Sequence, residues 1–162
     1  MSNHSPGSDQ LIDQIFNQYF SSIGPYVRAT QREIIRSAIE GNNTLALMPT
    51  GSGKSLCYWI SGLALGGVTL VIFPQTALMD EQARKLESHG CSVFMMHSGI
   101  DARSQYQELI DLYHAESVPD FIFLSPERLA TDGFVEFVLK KIKDQVNLVV
   151  IDEAHCISQW GL

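Results

Sequence analysis

The sequence predicts an α/β fold of three layers, with a mainly parallel β-sheet between two layers of helices. Three observations support this prediction. Helical and strand patterns take turns along the chain. The strand candidates are continuous apolar runs, which are typical of parallel strands buried on both faces. The 162 residues are 45% hydrophobic, which is enough to bury one sizeable core, so we expect a single domain.

The individual elements follow from the apolar periodicity. Strands are predicted where short apolar runs occur, at residues 44–47, 68–73, 92–96, 121–124 and 148–151. Helices are predicted where apolar residues recur with the helical period, at residues 9–20, 30–40, 55–65, 76–89, 101–115 and 132–143. Residues 1–8 contain Ser, Asn, Pro and Gly but no export signal, and we expect a disordered lead-in to a domain at residues 9–162.

Composition argues against several classes of protein. The 18 acidic and 11 basic side chains give a net charge of -7, which argues against a surface that binds polyanions through bulk charge. The 3 cysteines lie far apart without a Cys-x-x-Cys pair, so neither a disulfide framework nor a zinc site is implied, and a reducing cytoplasm fits. The uncharged stretch 55–79 is interrupted by Gly66 and Gly67, which leaves pieces too short for a membrane span.

A glycine-rich turn precedes the predicted helix at residues 55–65. Its sequence, Met-Pro-Thr-Gly-Ser-Gly-Lys-Ser at residues 48–55, is typical of a loop whose backbone N–H groups surround phosphate oxygens. In such a loop Lys54 reaches the outer phosphates and the Ser55 hydroxyl ligates magnesium. Met48 stands where the general pattern has glycine. The candidate nucleotide-binding residues of the loop are Thr50, Gly51, Ser52, Gly53, Lys54 and Ser55.

Two carboxylates follow the predicted strand at residues 148–151. Asp152 can hold magnesium through water, and Glu153 can orient or deprotonate an attacking water. Ligands of parallel α/β sheets bind at the carboxyl ends of the strands, where both motifs are expected to lie. We therefore expect them to converge on one bound magnesium–ATP, with Lys54 and Glu153 as the catalytic residues. The alternative is a structural turn together with a solvated acidic cap.

Residues 48–58 and 152–161 resemble the RecQ family of DNA helicases. The second segment, Asp-Glu-Ala-His-Cys-Ile-Ser-Gln-Trp-Gly, is the sharper match. Many helicases carry Asp-Glu-Ala-His, but the continuation is close to diagnostic of this family. Weaker matches lie in the expected order, at Arg28 with Gln31, at Pro74 with residues 78–82, and at residues 124–129. The resemblance spans about residues 12–162.

The resemblance implies a RecA-like P-loop NTPase fold and roles for residues outside the two motifs. It implies that Gln31 recognises adenine, with Arg28 beside it, and a Gln amide can indeed match the N6 donor and N7 acceptor of that base. It also implies that His155 couples the nucleotide to the DNA site and that Gln159 and Trp160 contact single-stranded DNA, where an aromatic ring offers a stacking face. The alternatives are a polar helix residue for Gln31 and a core residue for Trp160.

The activity implied by the resemblance is ATP-dependent, magnesium-requiring unwinding of DNA, with 3′-to-5′ polarity, in repair or recombination. The implied partners are single-stranded DNA and duplex junctions, and the expected location is the bacterial nucleoid or the eukaryotic nucleus. Ser125, Glu127 and Arg128 resemble a segment that contacts the DNA backbone, although Ser-Pro-Glu also favours a helix start. An RNA helicase of the Asp-Glu-Ala-His type shares the nucleotide site but fits residues 156–161 poorly.

The resemblance also implies parts beyond Leu162. These include a second motor domain with its arginine finger, and a strand that separates the phosphate-loop strand from the Asp-Glu strand. We therefore expect a partial domain whose open sheet is weakly stable, aggregates, or is filled by another segment. A second hypothesis follows from the same considerations, namely a truncated nucleotide-binding or interaction module without turnover.

Overall fold

The structure is a computed structural model that describes residues 6–96, 102–114, 117–129 and 138–155. The chain divides into two compact units, the first ending at Gly66 and the second beginning at Gly67. The first unit is helical. The second contains a parallel sheet with helices between its strands, so the predicted α/β class is confirmed. Within the described residues, no helix combines the length and the apolar character needed to cross a membrane.

Three helices form the first unit: α1 (Pro6–Ile15), which continues as a π-helical turn (Phe16–Phe20), α2 (Ala29–Ile39) and α3 (Lys54–Leu65). Their apolar faces meet in a core in which the rings of Phe20 and Trp59 stack with centroids 5.6 Å apart. An ion pair also joins helices α1 and α2, because Arg36 Nη2 lies 2.7 Å from Asp9 Oδ1 and 2.8 Å from Asp9 Oδ2. The hydrogen bond from Arg36 lowers the pKa of Asp9.

Helix α1 begins earlier than the sequence predicts. The expected lead-in covers residues 1–8, of which residues 6–8 form the start of α1 and residues 1–5 lie outside the described residues. Proline is well suited to the first helical position, because its fixed φ matches the helix and its missing N–H would have no helical partner there. Asp9 in the first turn adds a favourable interaction with the helix dipole.

The predicted strand at residues 44–47 is wrong. Residues 43–49 adopt no regular secondary structure, and the side chains of Leu45 and Leu47 are 76% and 86% exposed. A strand is stable only when its backbone groups pair with a neighbour. None of the four described strands pairs with this segment. Its apolar sequence is therefore insufficient to make it a strand.

The sheet of the second unit contains four described strands, β1 (Val68–Ile72), β2 (Val93–Met96), β3 (Phe121–Leu124) and β4 (Val146–Ile151). Their order is β2-β3-β1-β4, and every pairing is parallel. The central strands β1 and β3 are buried along their whole length, as their continuous apolar sequences predict. The edge strand β4 instead alternates between half-buried and exposed residues.

The described helices of the second unit are α4 (Ala77–Ser88), α5 (Ala102–His114), the single turn α6 (Pro126–Leu129) and the short α7 (Lys140–Ile142), which a 3₁₀ turn (Lys143–Gln145) links to β4. The predicted helix at residues 132–143 lies largely outside the described residues. Apolar residues from strands and helices form a buried cluster, which comprises Val68, Leu70, Met96, Leu112, Ile122, Leu124, Val138 and Ile142.

Gly67 allows β1 and β4 to approach each other at their first residues. Its φ is +64°, which lies in the left-handed region. A Cβ atom at this position would overlap the backbone oxygen of Gln145 and would lie 2.7 Å from Asn147 Nδ2. Both the backbone conformation and the available space therefore require glycine here.

We predict that Gly67→Ala lowers the free energy of unfolding by about 2 kcal/mol or more, because backbone strain and overlap add together. Urea unfolding followed by circular dichroism measures this change. The matched control is Gly90→Ala, since Gly90 has a φ of +85° but no atom within 4 Å of the place that a Cβ would occupy. Equal losses of stability in the two variants would contradict the requirement for space at Gly67.

Candidate nucleotide-binding site

The phosphate-loop sequence forms a tight turn that leads directly into α3. Gly51 and Gly53 have φ values of +76° and +82°, so both adopt the left-handed conformation that glycine accepts without strain. Ser52 folds back on the turn, since its N–H and its Oγ both donate to the Pro49 carbonyl, at 3.2 Å and 2.5 Å. Lys54 is the first residue of α3, and Ser55 follows it in the first helical turn.

Helix α3 begins directly after a glycine, and this makes its N-terminus suitable for binding an anion. The N-cap residue is Gly53, which has no side chain that could cap the helix. The first N–H groups of a helix have no partner within the helix and carry the positive end of its dipole. A helix that begins in this way, twelve residues long with Lys54 at its start, offers both backbone donors and a cation to a phosphate group.

The side-chain amide of Gln31 makes three hydrogen bonds, two to the turn and one to the start of its own helix. Its Nε2 donates to the carbonyl oxygens of Ser52 at 3.3 Å and Gly53 at 3.2 Å, and its Oε1 accepts from the backbone N–H of Arg28 at 2.9 Å. The side chain of Arg28 donates to the same Ser52 oxygen at 3.2 Å. Gln31 is only 3% exposed, so its own bonds are partly shielded from water, whereas the bond from Arg28 is exposed. The structure thus brings Arg28 and Gln31 to the phosphate loop.

The contact with Gln31 gives Gly53 a second reason to be glycine. A Cβ atom on residue 53 would lie 2.6 Å from Gln31 Nε2, so the Gln31 amide would have to move away from its bonds to the loop. By contrast, nothing lies within 4 Å of a Cβ on Gly51. The motif predicted both glycines as loop residues, but the contact of Gly53 with Gln31 is visible only in the structure.

Met48, which departs from the general loop pattern, packs against the helix that follows. Its Sδ lies 3.9 Å from Cys57 Sγ, and Cys57 Sγ is also 3.9 Å from the Gly53 carbonyl. Burial raises the pKa of the Cys57 thiol to about 11, so it stays protonated at neutral pH and acts as a small apolar residue. A thioether at position 48 thus contributes to the packing beneath the loop.

The acidic pair lies directly after β4 in the second unit. The N–H of Asp152 donates to the Ile72 carbonyl at 3.0 Å and so extends the ladder between β1 and β4 by one bond. Glu153 then turns away, with its N–H donating to Asp152 Oδ1 at 2.9 Å. Its φ of +51° makes it the one non-glycine residue with a positive φ in the described part of the chain. Such a conformation costs on the order of 1 kcal/mol for a residue with a side chain, and residues of this kind cluster at functional sites.

His155 forms a contact with Glu153 that was not predicted from the sequence. His155 Nδ1 lies 3.2 Å from Glu153 Oε2, with the His side chain 72% exposed and the Glu side chain 29% exposed. Two residues that are two positions apart in a turn can bring their side chains into contact. The sequence alone does not show that Glu153 and His155 do so. Gln159 and Trp160, the candidates for contact with DNA, lie outside the described residues.

Ser125 belongs to the segment that resembles a contact with the DNA backbone, and Tyr26 lies shortly before the candidate Arg28. Ser125 follows β3 and is fully buried, and its Oγ has no hydrogen-bond partner in the described part of the chain. Tyr26 is 66% exposed, two residues before Arg28. Tyr26 was not predicted as a site residue.

The predicted site residues therefore fall into two groups. Arg28, Gln31 and the loop belong to the first unit, and Asp152, Glu153 and His155 belong to the second. Their convergence on one magnesium–nucleotide stays a prediction.

Residues 28–162 match the protein family described as DEAD/DEAH box helicase. The chain is 39% identical over 151 residues to the probable ATP-dependent DNA helicase RecS of Bacillus subtilis, and the match covers 93% of this chain and 29% of the relative. It is 42% identical over 135 residues to the ATP-dependent DNA helicase RecQ of the same organism, covering 83% and 22%. The chain thus spans less than a third of the length of these curated relatives.

A solved structure, described as a hypothetical ATP-dependent RNA helicase from Sulfolobus tokodaii, superposes with a TM-score of 0.67. The match covers 94% of this chain and 44% of that one, at 23% identity, and it supports the fold alone. The family match covers most of the chain, and the relatives with higher identity are named as RecQ and RecS. The chain belongs to the DEAD/DEAH box helicase family, and its resemblance to the RecQ helicases is confirmed.

Proposed function

We propose that this chain is the ATP-binding part of a RecQ-like motor that unwinds DNA with 3′-to-5′ polarity. One observation carries the proposal. The left-handed turn at Gly51 and Gly53 delivers Lys54 to the start of a twelve-residue helix, and the amide of Gln31 is bonded to the same turn. Backbone donors, a cation and a glutamine meet at one loop, which is the arrangement expected of a site for a purine nucleoside triphosphate.

Several residues of the loop would bind the triphosphate, each through a different group. The N–H groups of Gly51 and of residues 53–55 would surround the phosphate oxygens, with Thr50 and Ser52 shaping the turn. Lys54 would neutralise charge on the outer phosphates, where charge develops as the terminal phosphoryl group leaves.

The oxygen donors of the proposed site suit Mg²⁺. This ion prefers hydroxyl and carboxylate oxygens and usually takes only one or two ligands from the protein, so Ser55 and Asp152 would be sufficient. When bound, magnesium would supply positive charge between the outer phosphates. Asp152 is fixed for this role by the hydrogen bond from its N–H to β1, which anchors the backbone that carries the carboxylate.

We assign Glu153 the role of orienting or deprotonating the attacking water. Its contact with His155 is consistent with a link between the nucleotide and a DNA-contacting segment, since a change in the Glu153 environment would be felt by its neighbour at 3.2 Å. Gln159 and Trp160 follow His155 by four and five residues in sequence. We propose that they contact single-stranded DNA, in a nucleoid or a nucleus according to the source.

We predict that Lys54→Ala weakens binding of magnesium–ATP by the 162-residue chain at least about tenfold, because a charge-assisted contact contributes about 1.5–3 kcal/mol. Titration with a fluorescent ATP analogue measures the dissociation constant. Lys85→Ala is the matched control, since Lys85 is an exposed lysine on α4 that pairs with Glu81. The proposal fails if the two variants bind nucleotide equally well.

Gln31 has two roles to distinguish, because in this structure its amide nitrogen donates to two carbonyl oxygens of the loop. Recognition of adenine N7 would require one of these bonds to be exchanged for a bond to the base. Gln31→Glu removes the donor and places a carboxylate against two carbonyl oxygens, so we predict at least about tenfold weaker ATP binding. The matched control is Gln10→Glu, on the exposed side of α1.

The ratio of ATP to GTP affinity separates the two roles of Gln31. If Gln31 recognises adenine, Gln31→Glu loses affinity for ATP selectively and the ratio falls. If Gln31 only holds the loop, the variant loses affinity for both nucleotides in parallel. Unchanged binding of both nucleotides would contradict either role.

A nucleotide-binding module without turnover is the second candidate, which the geometry of Gly51, Gly53 and Lys54 supports equally well. Phosphate release measured with and without single-stranded DNA decides between the two. We expect ATP binding without DNA-stimulated release from the 162-residue chain, because arginine fingers contribute about 10³–10⁵ in rate to such reactions. DNA-stimulated release that Lys54→Ala abolishes would instead identify an autonomous motor.

A further inference from the structure

The peptide unit that joins Val27 to Arg28 is held at both ends by side chains of α2. Its N–H, which belongs to Arg28, donates to Gln31 Oε1 at 2.9 Å. Its carbonyl oxygen, which belongs to Val27, accepts from Arg32 Nε at 3.3 Å. Both bonds are partly shielded from water. Two successive residues of the helix therefore fix the plane of the peptide that precedes it.

The orientation of this peptide determines which end of the Gln31 amide faces the phosphate loop. Because Oε1 accepts from the peptide N–H, Nε2 is the end that donates to the carbonyl oxygens of Ser52 and Gly53. If the peptide were turned over, it would present its oxygen to Gln31 and would attract Nε2 away from the loop. The donor end of Gln31 thus stays on the loop only while the peptide keeps its orientation.

Arg32 is held in turn by two acidic residues of α1. Its Nη2 pairs with Asp13 Oδ1, and its Nη1 lies 3.5 Å from Asp9 Oδ1. The planar guanidinium can bond α1 and the Val27 carbonyl at the same time, because its nitrogens have a fixed mutual geometry. Both carboxylates are partly exposed, and exposed ion pairs contribute little to stability. What these pairs provide is therefore the orientation of Arg32.

Arg36 joins the same two helices without taking part in this arrangement. Its Nε and Nη2 bond to Asp9 Oδ1 at 2.9 Å and 2.7 Å, so it holds α1 more closely than Arg32 holds Asp9. It lies one turn further along α2 than Arg32, on the side away from the Val27–Arg28 peptide. A comparison of the two arginines thus separates the joining of the helices from the fixing of the peptide.

We propose that Arg32 is a positioning residue for the nucleotide site. It keeps the Val27–Arg28 peptide in the orientation that directs the donor end of Gln31 to the phosphate loop. Helix α1 takes part through Asp9 and Asp13, although none of the candidate site residues lies in α1. This inference rests on the proposed function, because the loop needs positioning for a ligand only if the chain binds nucleotide.

The affinity of the 162-residue chain for magnesium–ATP tests the proposal. Arg32→Met should raise the dissociation constant of a fluorescent ATP analogue at least about threefold, as expected of a residue that acts through its neighbours. The matched control is Arg36→Met, which also removes an α1–α2 ion pair and should leave the dissociation constant unchanged. Urea unfolding of both variants verifies that they are folded and measures their stability.

A second variant, Arg32→Lys, keeps the charge and the stability of the fold. Lysine offers one nitrogen in place of the guanidinium fork, so it cannot bond Val27, Asp9 and Asp13 together. It should therefore weaken ATP binding as Arg32→Met does. Full affinity in Arg32→Lys would assign the effect to charge alone and would overturn the role of the peptide.

Hydrogen exchange of the Arg28 amide tests the peptide directly and needs no nucleotide. Relative to the amide of Ile35 in the same helix, it should exchange at least about threefold faster in Arg32→Met and unchanged in Arg36→Met. Unchanged Arg28 exchange, or equal ATP affinity of the Arg32→Met and Arg36→Met variants, would overturn this inference alone. A wild-type chain that binds no nucleotide would overturn the proposed function, and this inference with it.

Discussion

The backbone turn at Gly53 determines where α3 begins, and the rest of the proposed nucleotide site depends on it. Because this residue is left-handed, the chain enters the helix abruptly and Lys54 becomes its first residue. A residue of α2 holds the turn in place, because the side-chain amide of Gln31 donates to the carbonyl oxygens of both Ser52 and Gly53. A loop that must surround phosphate is thus shaped before any ligand arrives, and this preorganisation reduces the ordering that binding requires.

The second unit depends in a similar way on β1. This strand pairs with β3 on one side and β4 on the other, and it is buried along its whole length. The ladder between β1 and β4 continues for one residue beyond the strand, through the bond from Asp152 to Ile72. The position of the acidic pair is therefore a consequence of strand register. Gly67 fixes the other end of the same ladder, because only a residue without a side chain fits against Gln145 and Asn147.

Sequence reasoning succeeded where local pattern and tertiary environment agree. The runs at residues 68–73 and 121–124 became fully buried strands, and the helix after the glycine turn begins within one residue of its predicted start. The segment at residues 44–47 has an equally apolar sequence, but it remains irregular because a strand also needs a pairing partner, which composition does not reveal. The bonds of Gln31 to the loop and the contact between Glu153 and His155 were beyond prediction, since both depend on side-chain geometry.

The left-handed backbone at Glu153 has a consequence for which residues position 153 tolerates. Glycine adopts this conformation freely and asparagine does so with little strain, whereas a glutamate must overcome a steric clash between its Cβ and the following carbonyl. Either of those residues would adopt this backbone conformation at a lower cost in free energy of folding. A glutamate on this backbone therefore lowers the stability of the fold, which agrees with the proposed role of Glu153 in orienting water.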